Sequence, residues 1–459
     1  MLENIKKIEK DIWIIILLVF ISTYTIFNMK HWDKEDRVIV WDVVDYYGYL
    51  PATFIYGDVT LEYPNKNYKE YKHTFWFHKT DKGSNVFKMS MGMSILYSPF
   101  FFMAHAYSSV TESISSGFSP PYRFAICISG IFYFVLGLIF LRKLMRNFFS
   151  ENIVAITLLF IGLGTNLFYY VVIGVGMPHN YLFGLFSVAL YFVFKWYKKP
   201  SFALSGVLGF LLGLVVLVRP TMILVLTSAL FFEVNSIQLL KERIFFYKNH
   251  ILKIVTIILF SILTWVPQFI YWKIVTGSFI YYSYTDQGFF FDDPQIFNLL
   301  FSFRNGWLLY SPLMIFSLLG LLLMFVKKEK LSFGLTFTIV LYVYVMSCWW
   351  VWWFGGSFSS RTMIDILPLL ALGLAYFIKQ LFQTNRRFKK SILTLMFLIV
   401  GFNLFQIRQA HEGLLHHDSM TKEAYSKIFF KLQSQITRKE VKPYLETPDY
   451  ESAKKGLRD

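Results

Sequence analysis

Ten polar side chains stand at the edges of long apolar stretches: Asp42, Asp45 and Asp58 after the first stretch, then His179, Arg219, Asp286, Asp292, Asp293, Arg304 and Arg361. An ionisable group at membrane depth costs about 2.5–3.5 kcal/mol on insertion scales, so a set of them on one face marks a site by default. Carboxylates together with arginines suit a base that faces an anionic ligand. The carboxylate takes up a proton, and the guanidinium offers a planar, permanently charged fork of donors.

Each of these residues also has a plainer reading. Arg219 precedes Pro220 inside the apolar stretch 211–230, where it either meets an anion or snorkels to the interface. Arg304 could cap the helix that follows it, Arg361 could pair with Asp365 one turn later, and His179, in Met177-Pro178-His179-Asn180, could be a polar residue of an outer turn. Asp292-Asp293-Pro294 offers oxygen ligands for magnesium or manganese, and equally the signal of a turn and helix start. His411, His416 and His417 are weaker ligand candidates still. No metal ligands are assigned; no cofactor is firmly implied, and a divalent metal remains open. Trp349, Trp350, Trp352 and Trp353 read first as an aromatic belt at a membrane boundary, and second as a platform for a sugar or prenyl chain. Cys127 and Cys348 lie in or at the end of apolar segments and support neither a disulfide framework nor a cysteine metal site. A Walker sequence, a histidine-glutamate zinc-protease helix and a nucleotide-binding glycine loop are all missing from the sequence, which disfavours ATP or a nucleotide-sugar donor.

The elements that must position these residues are membrane helices. The chain is 55% hydrophobic, 20% aromatic and only 16% charged, far more apolar than a soluble domain. Apolar runs of spanning length predict about eleven transmembrane helices, near 12–28, 122–141, 152–172, 181–195, 201–218, 220–237, 251–272, 307–326, 331–350, 363–379 and 391–408. Lys6, Lys7 and Lys10 precede the first, which has no small-residue cleavage site after it and reads as an uncleaved anchor with a cytoplasmic N-terminus. The clusters Arg142/Lys143/Arg146, Lys195/Lys198/Lys199, Lys241/Arg243/Lys248, Lys327/Lys328/Lys330 and Arg386/Arg387/Lys389/Lys390 then fall on that same side. This topology accounts for the net charge of +16 without nucleic acid as a partner. The expected organisation is an all-α transmembrane domain over 1–408, with a long first outer loop at 31–90 and a re-entrant or juxtamembrane helix at 91–107. A polar extracytoplasmic tail follows at 409–459.

The first loop reads Trp41-Asp42-Val43-Val44-Asp45-Tyr46-Tyr47-Gly48-Tyr49-Leu50-Pro51-Ala52. An acid followed by tyrosines and a small-residue helix, directly after the first apolar helix, resembles the first periplasmic loop of the GT-C superfamily of polyprenyl-phosphate-sugar-dependent glycosyltransferases. Protein mannosyltransferases and the aminoarabinose transferase of lipid A are members of that superfamily with such a loop. Further likeness runs through Gly277-Ser278-Phe279 to Tyr284, Ser302-Phe303-Arg304-Asn305-Gly306 to Tyr310-Ser311-Pro312, and Trp352-Trp353-Phe354-Gly355-Gly356-Ser357-Phe358 to Arg361, segments that recur in a branch found in Bacteroidetes-like genomes. The resemblance spans roughly 12–390, with Asp45-Tyr46 standing where many relatives carry an Asp-Glu or Asp-Asp pair.

The resemblance implies an inverting transfer of a sugar from a polyprenyl-phosphate-linked donor to a glycan, lipid or protein acceptor on the outer face of a bacterial cytoplasmic membrane. It makes Asp45 the preferred general base and Asp42 the second. Arg219, Arg304 and Arg361, with His179, are expected on the donor phosphate; Tyr46, Tyr49, Asp58, Asp286 and Trp353 are expected to contact substrate. The competing expectations are a transporter or lipid-linked-glycan flippase, and a non-catalytic protein of the GT-C fold. A transporter needs charges near the midplane and access from both faces, whereas the charges here gather on one side.

Overall fold

The computed structural model describes residues 9–63, 77–80, 83–111 and 113–458; Lys6, Lys7 and part of the long first loop lie outside these. Where apolar side chains run on for twenty residues, the backbone must satisfy its own hydrogen bonds, and helices result. Among the described residues the sole sheet is the antiparallel pair His78–Lys79 and Asn85–Val86. Five helices are long and apolar enough to cross a membrane: Lys10–Asp33, Pro120–Met145, Ile251–Thr276, Arg361–Phe382 and Arg386–His411. Shorter apolar helices accompany them, so among the described residues five helices of spanning length, with shorter ones beside them, stand where eleven spans were expected.

The interruptions have local causes. The stretch expected at 152–172 divides at Gly164-Thr165-Asn166 into Glu151–Leu163 and Leu167–Val172. The stretch at 307–326 divides before Pro312 into Trp307–Tyr310 and Met314–Val326, and the one at 220–237 opens as a 3-10 turn, Pro220–Val225, before Leu226–Leu230. Proline supplies no N–H to the ladder and crowds the preceding residue out of helical geometry. Backbone groups freed by these breaks find side-chain partners: the Ser311 hydroxyl accepts from Asn166 N at 3.2 Å, and Asn166 Nδ2 donates to Ser360 O at 3.2 Å.

The helices Phe202–Val218 and Ile251–Thr276 pack side by side through small residues. A Cβ at Gly209 would stand 2.3 Å from Ile257 O, and one at Gly213 2.7 Å from Ser261 O, so glycine is what allows the two backbones to approach. The segment expected as a re-entrant helix forms Gly92–Val110, with Pro99 inside it, and packs against Pro120–Met145 and the short helix Asp42–Tyr47. The basic segment read as a connection holds a helix of its own, Ile237–Asn249, which buries no side chain fully and lays Arg243 over the Tyr197 ring at 3.8 Å.

The tail is folded. It forms the helices Lys422–Ile428, Arg438–Val441 and Tyr450–Lys454, and its Arg458 side chain is fully buried. Arg458 Nη1 lies 3.4, 3.1 and 3.2 Å from the carbonyls of Ser347, Cys348 and Trp349, while Nη2 donates to Asp293 at 2.8 Å. One guanidinium thereby caps the helix Ser332–Ser347, whose last carbonyls have no partner within it.

Candidate functional site

The helix breaks gather around one charged cluster. Its centre is Asp365, fully buried in the 3-10 turn Arg361–Ile366. Arg219, placed just past the end of Phe202–Val218 by Pro220, donates from Nη1 to Asp365 Oδ2 at 2.7 Å. His179, in the first turn of Pro178–Lys198, sets Nδ1 2.8 Å from Asp365 Oδ1, and the Tyr342 hydroxyl lies 3.1 Å from Oδ2. Arg219 Nη1 is also 3.3 Å from His179 Nδ1, but the shorter contact to the carboxylate assigns the imidazole proton to Nδ1. A buried carboxylate with three donors fixes the orientation of all three.

Arg361 does not pair with Asp365. Its Nη2 crosses to Asp42 Oδ2 at 3.0 Å, joining the 3-10 turn to the first loop. Asp42 opens the helix Asp42–Tyr47, entered through Trp41 at φ 51°, and its side chain keeps 35% of its surface exposed. Lys88 completes the cluster, with its ammonium 5.2 Å from the centre of the Tyr284 ring. Burial lowers the Lys88 pKa, and the charges of Asp42 and Asp45 oppose that shift. Three cations, Lys88, Arg219 and Arg361, thus gather around the carboxylates Asp42 and Asp365.

The cluster forms one end of a cavity of about 1130 Å3. Asp42, Tyr46, Lys88, His179, Arg219 and Arg361 line that end; the remainder is a groove between Phe202–Val218 and Ile251–Thr276, walled by Leu208, Leu212, Val216, Ile258, Ile262 and Trp265. Ile258 and Ile262 are 53% and 54% exposed, so the groove is open along its flank. It runs on to Trp196, Tyr197 and Tyr247 at the far end of the same helices. A charged pocket continuous with a long apolar groove matches an amphiphile with an anionic head.

No protein-family model and no curated protein sequence matches the chain.

Of the residues singled out in the sequence, Asp42, Tyr46, His179, Arg219 and Arg361 converge here. Asp45, the preferred base, does not line the cavity. It is 5% exposed behind the wall, its Oδ1 meets no hydrogen-bond donor among the described residues, and the Lys88 backbone N–H reaches its carboxyl. Burial, reinforced by Asp42, pushes its pKa up to about 8. Of the two acids, Asp42 is the one that lines the cavity.

The other candidates do not line the cavity. Tyr49 donates to Met89 O at 2.7 Å, and Asp58 accepts from Thr60, Glu62 and Tyr63, closing its own turn. Asp286 pairs with Lys454 at 3.3 Å and Asp293 with Arg458. Arg304 donates to Glu446 O at 3.1 Å and lies over the Trp353 ring, so it holds the tail and faces no cavity anion. Trp353 is 1% exposed and packs with Trp352 and Tyr450. That contact replaces the aromatic belt expected for these two tryptophans; Trp349 and Trp350 do line the cavity. Cys127 and Cys348 are buried free thiols. Lys88, Asp365, Tyr284 and Tyr342 were missed. Lys88 carried a legible signal, a lone cation just before an apolar run; Asp365 was visible only as a partner for the wrong arginine.

Proposed function

We propose that this chain is a membrane glycosyltransferase of GT-C type that moves a sugar from a polyprenyl-phosphate carrier to an acceptor at the outer membrane face. The observation that carries the reading is the single cavity in which Lys88, Arg219 and Arg361 stand at the head of an apolar groove. A prenyl chain entering that groove leaves lipid, not water, so chain burial adds little driving force; affinity has to come from the charged end, and the groove selects the shape of the chain.

In the proposed reaction the acceptor oxygen attacks the anomeric carbon from the side opposite the phosphate. The carbon–oxygen bond to phosphate breaks, its electron pair leaves with the polyprenyl phosphate, and the acceptor proton passes to the Asp42 carboxylate. Arg219 and Arg361 stabilise the charge that grows on the leaving phosphate, with Arg219 held in orientation by Asp365. Arg361 releases Asp42 as it engages phosphate, which leaves the carboxylate free to act as a base.

Polyprenyl phosphate itself is the probe for the donor site. Native mass spectrometry of the full chain in nanodiscs is expected to show it bound, with Arg219→Lys weakening binding by about 10–100-fold because the bidentate fork is lost. Binding of the neutral polyprenol to the same extent, or unchanged binding by Arg219→Lys, contradicts the reading.

A further inference from the structure

A second cavity, of about 640 Å3, lies between the folded tail and the helix ends; Tyr169, Tyr310, Phe358, His416, His417 and Arg438 are among its walls. His416 and His417 line it and the buried Asp418 follows them in the chain; the charged cluster described above uses none of the three. We propose that these three residues bind a divalent transition-metal ion of the zinc class, with a coordination position open to this second cavity.

The donor set points to the class of ion. Two imidazoles and one carboxylate are ligands that zinc accepts in three-ligand sites with a vacant position, whereas magnesium prefers oxygen alone. The spacing agrees. Asp418 Oδ1 lies 3.1 Å from His416 Nδ1 and 3.7 Å from His417 Nε2. Ligand atoms at ~2.0–2.1 Å from a tetrahedral zinc stand ~3.3 Å apart. All three ligand atoms fall within 4.8 Å of one another, so small ring rotations close the site.

The loop is braced as a ligand loop needs to be. The His417 carbonyl accepts from Asn305 Nδ2 at 2.6 Å and from Ser357 N at 3.4 Å, and Glu446 N donates to Ser419 O at 3.0 Å. The second oxygen of Asp418 accepts from the Tyr450 hydroxyl at 2.6 Å, and the first from Ser419 at 2.7 Å, as outer partners orient a metal-binding carboxylate. Tyr450, the partner of Asp418, also lines the main cavity.

The test uses the untagged full chain in detergent, loaded with zinc, desalted and assayed for metal per chain, with cobalt(II) as a spectroscopic substitute. One zinc per chain is expected, unaffected by excess magnesium, and none in the double variant His416→Gln, His417→Gln. Tyr450→Phe is expected to weaken zinc binding by about 10–100-fold while leaving the ligands in place. Absence of zinc from the wild-type chain, or equal zinc in the double variant, overturns the proposal. Should the double variant fail to fold, the cobalt spectrum of His416→Gln decides: a changed spectrum supports the site, and an unchanged one overturns it.

Discussion

At the scale of the residue, two acids three positions apart end in opposite environments. Asp42 faces the cavity and Arg361, whereas Asp45 is buried with an oxygen that meets no hydrogen-bond donor among the described residues. The difference has a thermodynamic signature. Between the ordinary carboxyl value of 3.8 and about 8, folded Asp45 keeps a proton that the unfolded chain releases. Its contribution to stability is therefore complete below 3.8 and is lost as pH rises towards 8. Asp45→Asn, which is always neutral, should melt progressively above the wild type as the pH of a detergent thermal-shift series climbs from 5 to about 8; a difference that stays flat with pH would contradict the assigned burial. The sequence identified the residue types at this site well, because charges in apolar surroundings are few. It could not separate Asp42 from Asp45, since which face of a six-residue helix meets the cavity is decided by what packs on it. Nor could it pair Arg219 with Asp365 across 146 positions of chain.

At the scale of the element, broken helices build the site and unbroken ones build the groove. Pro220 and Pro312 stand at two of the breaks, whereas the break at Gly164-Thr165-Asn166 depends on the partners Ser311 and Ser360, which only the fold supplies. The apolar stretches were legible by length and hydropathy; their division into full spans and half-helices was not, because a polar partner for a free backbone group leaves no local mark. Leu212 projects into the groove wall between Phe202–Val218 and Ile251–Thr276. Leu212→Trp should raise the KM for a long-chain prenyl-phosphate donor by about tenfold and leave a short-chain analogue nearly unaffected. Equal effects on both donors would show that the chain does not lie in the groove.

At the scale of the whole molecule, the tail is part of the enzyme proposed here. Arg458 and Arg304 fasten it to the helix ends, and Tyr450 contributes to the wall of the main cavity. The sequence marked it only as polar; its fastening depends on contacts that cross more than a hundred residues, from Arg458 to Cys348 and from Glu446 to Arg304. The central claim joins all three scales: a carrier-linked sugar is transferred with Asp42 as the base. Its most direct test is mass spectrometry of surface and lipid-linked glycans from a strain lacking this chain, complemented with wild type, Asp42→Asn or Asp45→Asn. The account predicts that one sugar disappears in the deletion strain and returns with wild type and in large part with Asp45→Asn. With Asp42→Asn, transfer should fall by about 10²–10⁴-fold in membranes holding equal amounts of folded protein. Identical glycans in all strains, or full restoration by Asp42→Asn, would contradict it.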